Sequence, residues 1–234
     1  MKSNPFKRHR FSPQIILLAV RWYCRYPLSY RDVCDLLAER SIRVSPATIN
    51  RWVVKFGPLI AHKIKRQHYP RSMWWHVDET YIRVCGKWRY LWRIVDQKGQ
   101  FVDCRLTAKR DSKAANAFLQ QARRNCGLYP PATIVTDKAP TYPRIIEAME
   151  DHAYFNQPIK HINQKGCNNR IESDHAALKR IVNPGKGFKT MRTAKATLLA
   201  IEAFRTIKRG HVFHPPENPA AEIRQMQENF AIFA

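Results

Sequence analysis

Carboxylates are scarce in this chain: 18 Asp and Glu stand against 41 Lys and Arg in 234 residues, leaving a formal charge of +23. Few soluble enzymes of small metabolites carry such an excess, so a polyanion, most simply nucleic acid, is the expected partner rather than a small molecule. Long apolar runs are missing too. The longest, Ile15 to Val20, has six residues and is soon followed by Arg21. A membrane-spanning helix needs roughly 20, and the hydrophobic part of a signal peptide needs more than this run offers. The cysteines Cys24, Cys34, Cys85, Cys104, Cys126 and Cys167 form no C-x-x-C pair and no zinc-like cluster with His. They read as reduced thiols used as small buried hydrophobes. Internal repeats and low-complexity stretches are absent as well. With 44% hydrophobic residues the chain has enough apolar material for a core.

The acids that do exist are unevenly placed. Residues 1–76 hold 15 Lys and Arg against 3 Asp and Glu, and residues 77–234 hold 26 against 15. This asymmetry suggests a DNA-binding arm followed by a domain that needs carboxylates. In the arm, a helix over 12–24 is indicated by Ser12 as cap, Pro13 in the first turn and Ile16, Val20 and Tyr23 at helical spacing. A second helix starts at Ser29, with Asp32 completing a capping-box pattern. A third starts at Ser45-Pro46, with Ile49, Trp52, Val53 and Phe56 on its apolar face and Thr48, Arg51 and Lys55 on its polar one. That is a helix-turn-helix pattern, with the three polar residues as candidate DNA contacts. A three-helix bundle that touches no DNA has the same pattern. Pro58 and the basic run from His62 to Arg71 read as a hinge.

Beyond Trp74 the period changes to two. Strands are expected over 76–84, 87–95 and 101–106 as a meander, with Asp96-Gln97-Lys98-Gly99 as a hairpin loop. Trp88, Tyr90 and Trp92 share one face and read as core rather than as a base-stacking surface. A helix over 111–125, a strand over 133–136, a helix near 142–149, a strand near 158–161 and helices over 168–182 and 190–208 follow. The expected class is α/β: a ribonuclease H-like domain, with a mixed five-stranded sheet and helices on both faces, after a small all-α helix-turn-helix domain. The expected division is 1–60 for the helix-turn-helix, 61–73 for a basic linker, 74–212 for the α/β domain and 213–234 for a tail that either serves as an interaction arm or packs on its own domain.

Three acids stand out by position. Asp78 lies inside the first strand, where a charge is costly unless paired or metal-bound. Asp137 ends the fourth strand, where ligands gather. Glu172 shares a helix face with Asn169, His175 and Lys179. Three hard oxygen donors on a basic surface suit Mg²⁺ acting on phosphodiesters. Glu79 must point away from Asp78 across the strand, and Asp174 away from Glu172 around the helix.

Asp78-Glu79-Thr80-Tyr81, Thr136-Asp137-Lys138-Ala139-Pro140 and Asn169-Arg170-Ile171-Glu172-Ser173-Asp174-His175 with Lys179 resemble the DDE transposases of bacterial insertion-sequence family six. The 34 residues between Asp137 and Glu172 fit that family's spacing, and Lys179 fits its pattern. Asn4-Pro5-Phe6-Lys7, Leu28-Ser29-Tyr30-Arg31-Asp32 and Gly187-Phe188-Lys189 extend the likeness across the chain. Ser173 departs from it, standing where Cys or Gln is expected, off the catalytic face. The resemblance implies that Asp78, Asp137 and Glu172 are catalytic and bind two Mg²⁺ ions, with Mn²⁺ as a substitute. It also implies that Lys179 holds a DNA phosphate and that the N-terminal region reads terminal inverted repeats. Strand cleavage, strand transfer to target DNA and a replicative, cointegrate-forming route would follow, in at least a dimer, in the bacterial cytoplasm at the nucleoid. A nuclease or resolvase that hydrolyses without joining, and a non-catalytic repressor, are the rival expectations.

Overall fold

The computed structural model describes residues 4–67, 72–126, 130–137, 142–150, 158–163, 166 and 168–232. They divide into two compact units.

The helical unit comprises residues 1–68, 181–186 and 192–234. Helix α1 (Pro13–Arg25) starts where Ser12 Oγ accepts from the Ile15 amide. Helix α2 (Tyr30–Ala38) starts in the expected capping box. Ser29 Oγ accepts from Asp32 N, and Asp32 Oδ2 accepts from Ser29 N at 2.6 Å. Helix α3 (Pro46–Lys65) starts at Ser45, and its Ile49, Trp52, Val53 and Phe56 are all buried.

Helix α3 does not stop at the hinge expected after Pro58. It runs on to Lys65, so the linker expected over 61–73 is helical in its first five residues. Pro58 removes one amide donor, but Ile60 and Ile64 continue the apolar stripe of Phe56 and are buried. Burial of those side chains outweighs the lost hydrogen bond.

The C-terminal helices complete this unit. In α7 (Met191–Lys208), residues from Arg192 onward belong with α1 to α3 rather than with the sheet, unlike the expected 74–212 division. A Cβ on Gly57 would lie 2.7 Å from Ala200 Cβ, so glycine there lets α3 and α7 touch backbone to backbone. The tail carries α8 (Pro219–Asn229), capped by Asn218. Its buried Glu222 accepts from Arg21 Nε at 3.0 Å and is ion-paired with Arg25 Nη1 at 2.6 Å, which fastens the tail to α1. Phe6 stacks on Phe56 at 4.6 Å and meets Phe230 edge-on at 5.4 Å, closing the unit's far end.

The sheet unit comprises residues 69–180 and 187–191. Its strands are β1 (Trp74–Val84), β2 (Lys87–Asp96), β3 (Phe101–Thr107), β4 (Thr133–Thr136) and β5 (Lys160–Asn163), in the order β3-β2-β1-β4-β5. β1, β2 and β3 pair antiparallel, while β4 and β5 run parallel to β1. This is the mixed five-stranded, ribonuclease H-like order. Asp96, fully buried, shapes the β2–β3 hairpin by accepting from the amides of Lys98 and Gln100.

Helices α4 (Ser112–Asn125) and α5 (Tyr142–Glu150) cover one sheet face. Trp75, Val77, Trp92 and Ile94 pack there against Phe118, Leu119, Ile145 and Met149. Helix α6 (Asn169–Val182) serves the other face, where Arg93, fully buried in β2, is ion-paired with Asp174. β1 is much longer than β4, which pairs only with Trp74, Trp75 and His76. The β1–β2 ribbon therefore projects beyond its parallel neighbour.

Candidate active site

β1 places Asp78 and Glu79 on opposite faces, as strand alternation requires. The parallel register pairs His76 with Val135. Carried two residues further, it sets Asp78 level with Asp137, which follows the end of β4. Asn168 joins α6 to this strand. Its Nδ2 donates to Val77 O at 3.0 Å, its Oδ1 lies 3.3 Å from His76 Nδ1, and its carbonyl accepts from the amides of Ile171 and Glu172. One buried side chain thus ties the start of α6 to the residue before Asp78. His175, one turn beyond Glu172, brings Nδ1 to 3.7 Å from Asp78 Oδ2.

The electrostatics of Asp78 reflect that convergence. Burial, the charge of Glu79 and the fields of Asp137 and Glu172 push its carboxyl up to about 7, against the opposing hydrogen bond from the Glu79 amide. The three predicted acids thus share one field. Among the described residues no three His, Cys, Asp or Glu side chains close into a ready-made ion cage. A carboxyl destabilised by like charges is the kind of donor that a divalent cation relieves.

The two acids set aside by geometry are accounted for elsewhere. Glu79 is ion-paired with Arg110 and accepts from Tyr142 Oη at 3.3 Å, although burial still raises its pKa. Asp174 is held by Arg93. Of the other predicted site residues, Lys179 is half-buried two turns along α6 from Glu172, while residues 138–140 of the second motif lie outside the described residues. On α3, Arg51 and Lys55 are exposed and Thr48 is partly so; Arg51 Nη2 donates to Thr48 Oγ1 at 3.0 Å, and Lys55 Nζ lies 2.7 Å from His9 Nε2.

Sequence reasoning missed Asn168, Arg93 and Arg110. An Asn just ahead of a helix is a capping signal, and an Arg directly after a Leu-Trp pair in a core strand asks for a buried acid. Both signals were available. Nothing local marks Arg110. The cysteines correct one expectation: Cys24 is buried, but Cys85 is exposed in the β1–β2 turn. The same holds for the aromatic row: Trp92 is buried, while Trp88 is 63% exposed.

The fold and the placement of acidic residues describe a ribonuclease H-like polynucleotidyl enzyme of the DDE class. The family described as DDE domain matches residues 72–211. The transposase for insertion sequence-like element IS431mec of Staphylococcus aureus is 36% identical over 199 residues, covering 85% of this chain and 86% of that one. The transposase for insertion sequence element IS257 in transposon Tn4003, also from Staphylococcus aureus, matches to the same extent. A solved structure of the HTLV-2 integrase catalytic core domain in complex with magnesium is similar at 18% identity and a TM-score of 0.42, covering 68% of this chain and 99% of that one. The chain belongs to the DDE transposases of bacterial insertion-sequence family six.

Proposed function

We propose that this transposase binds the terminal inverted repeats of its element and carries out Mg²⁺-dependent strand cleavage and strand transfer, with Asp78, Asp137 and Glu172 as its catalytic carboxylates. The observation that carries the proposal is the placement of Asp78, level with Asp137 in the parallel register and facing α6 through His175; burial and then Glu79 raise its proton affinity most, with smaller contributions from Asp137 and Glu172. The three carboxylates would hold two Mg²⁺ ions, with Mn²⁺ as substitute. Bound there, the metal supplies Lewis-acid polarisation of the phosphodiester and a nucleophilic water or 3′-hydroxyl at neutral pH.

The chain's own residues do the rest. Asn168 holds the start of α6 against β1, which keeps Glu172 facing Asp78. Lys179 offers a cation for a DNA phosphate two turns along the same helix. Thr48, Arg51 and Lys55 present donors along α3 for a DNA groove. Excess charge beyond these residues draws duplex DNA through its phosphates, with an affinity that falls steeply as salt rises. Joining two element ends calls for at least a dimer on DNA, and a replicative, cointegrate-forming route is the reading carried from the family. No helix among the described residues is long and apolar enough to cross a membrane. Action on nucleoid DNA in the bacterial cytoplasm fits this reading.

The test is strand transfer of a labelled inverted-repeat duplex into plasmid DNA in Mg²⁺. Single Asp78→Ala, Asp137→Ala or Glu172→Ala substitutions are expected to abolish joining, a loss of at least about a thousandfold given what two-ion sites contribute, while end binding in a gel shift persists. Joining at the wild-type rate in any of the three overturns the assignment. Nicked ends without joined products would identify a nuclease.

A further inference from the structure

The face of β1 and β2 that packs under α4 and α5 at Trp75 and Trp92 continues outward past those helices. Beyond Glu79 it carries Tyr81 and Arg83 from β1, opposite Tyr90 and Trp88 from β2 in the ladder register. Tyr81 is 45% exposed and Trp88 63% exposed. The Tyr81 and Tyr90 rings lie 5.4 Å apart, and the Arg83 guanidinium sits 6.0 Å from the Trp88 ring centroid. An indole left in water at the end of a sheet forfeits the burial that justifies its place in a core.

The inner end of this patch meets Glu79 and Arg110, on the sheet face opposite that of Asp78. Arg110 is ion-paired with Glu79 and lies in the field of Asp137; those charges outweigh the burial that works against its own. None of the four outer side chains carries a negative charge, and Arg83 and Arg110 bracket the aromatic rings with positive charge. Aromatic faces interleaved with arginine are complementary to nucleobases on a phosphate backbone, and they accept any base because every base has a π-face.

The patch is held firm from behind. On the opposite face of the ribbon Ile82 and Val84 are buried. Residues 187–189 run alongside its edge, with Cys85 N donating to Phe188 O at 2.7 Å and Phe188 N to Arg83 O at 2.9 Å. Gly187 takes φ +99° there, and a Cβ would fall 2.8 Å from Arg83 O. The Gly-Phe-Lys motif thus buttresses the backbone that carries Arg83, so a ligand would meet a preformed surface.

We propose that the exposed end of the β1–β2 ribbon is a stacking platform for unpaired nucleobases of DNA, with Trp88 receiving a base and Arg83 the adjoining phosphate, on the sheet face opposite that of Asp78. The proposal rests on the reading of this chain as an enzyme of DNA and adds to it a surface that selects unpaired over paired strand.

The test uses the full chain in EDTA, with a single-stranded oligonucleotide of about 20 nucleotides carrying 2-aminopurine, and a blunt duplex of the same sequence as control. Trp88→Ala is expected to weaken single-strand binding about tenfold and to remove most of the 2-aminopurine response, leaving duplex affinity within about twofold. Trp88→Phe should restore most of the loss, and Arg83→Ala should lower single-strand affinity with a reduced salt dependence. Single-strand affinity unchanged in Trp88→Ala overturns the proposal, as does a wild-type chain that does not bind the single strand. Unchanged single-strand binding together with an altered mass by light scattering would assign the patch to contact between two copies instead, again overturning it. Binding in EDTA is independent of joining in Mg²⁺, so failure here leaves the carboxylate assignment standing, and failure of joining leaves the platform standing.

Discussion

The two faces of β1 treat adjacent acids in opposite ways. On the face toward α4 and α5, Glu79 meets Arg110 and a tyrosine hydroxyl. On the face toward α6, Asp78 meets a histidine and the fields of two further carboxylates. The pattern repeats on α6, where Asp174 goes to Arg93 while Glu172 stays exposed. In a chain with 41 basic side chains an acid is easily neutralised by an arginine. Gathering like charges around Asp78 lowers stability, and the proposed function gives that gathering a purpose.

Three experiments act on that contrast. The largest effect is expected at the buried ion pair on the same sheet face as Asp78. Arg93 and Asp174 are both buried, so Arg93→Met removes the cation paired with a buried carboxylate and should cost about 3–5 kcal/mol in urea denaturation. The double change Arg93→Met with Asp174→Leu should recover much of it, and an equal loss in both variants would show that the pair is not the source.

A smaller effect of opposite sign is expected at Asp78. Its carboxyl holds a proton up to about 7 in the folded chain and up to near its ordinary 3.8 in the unfolded one. Between those values the folded state binds the extra proton, so stability from this group is fully present at acid pH and is lost as pH rises toward 7. Asp78→Asn should therefore be more stable than wild type at pH 7 in EDTA, by on the order of 2 kcal/mol, with a flatter pH profile. Coincident profiles between pH 4 and 7 would remove the charge conflict. Added Mg²⁺ should raise the melting temperature of wild type but not of the variant.

The smallest effect belongs to Arg110, which is partly exposed, so that water screens its pair with Glu79. Arg110→Ala should cost about 1 kcal/mol or less in the same denaturation. A loss as large as that of Arg93→Met would mean that the Arg110–Glu79 pair is not screened by water.

Much of this was legible in the chain because local rules decide it. Ser29 with Asp32 and Ser45 with Pro46 mark helix starts through hydrogen bonds made within four residues. Strand alternation separates Asp78 from Glu79 whatever surrounds them. What was not legible depends on partners distant in sequence. Alternation puts Trp88 and Trp92 on one face, but it does not say where the covering helices end, so Trp88 read as core. Pro58 read as a break because the stripe that carries α3 past it, Ile60 and Ile64, is secured by packing rather than propensity. The grouping of Arg192 to Lys208 with the N-terminal helices depends on a glycine at position 57 meeting an alanine at position 200, a complementarity that no local pattern reveals.

That grouping also orders events during synthesis. The sheet unit is nearly continuous in sequence, whereas the helical unit is finished only when α7 and α8 have been made. At roughly 5–20 residues per second, the wait between the end of α3 and the arrival of Glu222 is on the order of ten seconds. During that interval Arg21 lacks its carboxylate and Phe6 lacks the ring of Phe230. The helical unit is thus completed later than the sheet unit, and a chain cut short before α8 carries the sheet with its acids but an unfinished helical unit.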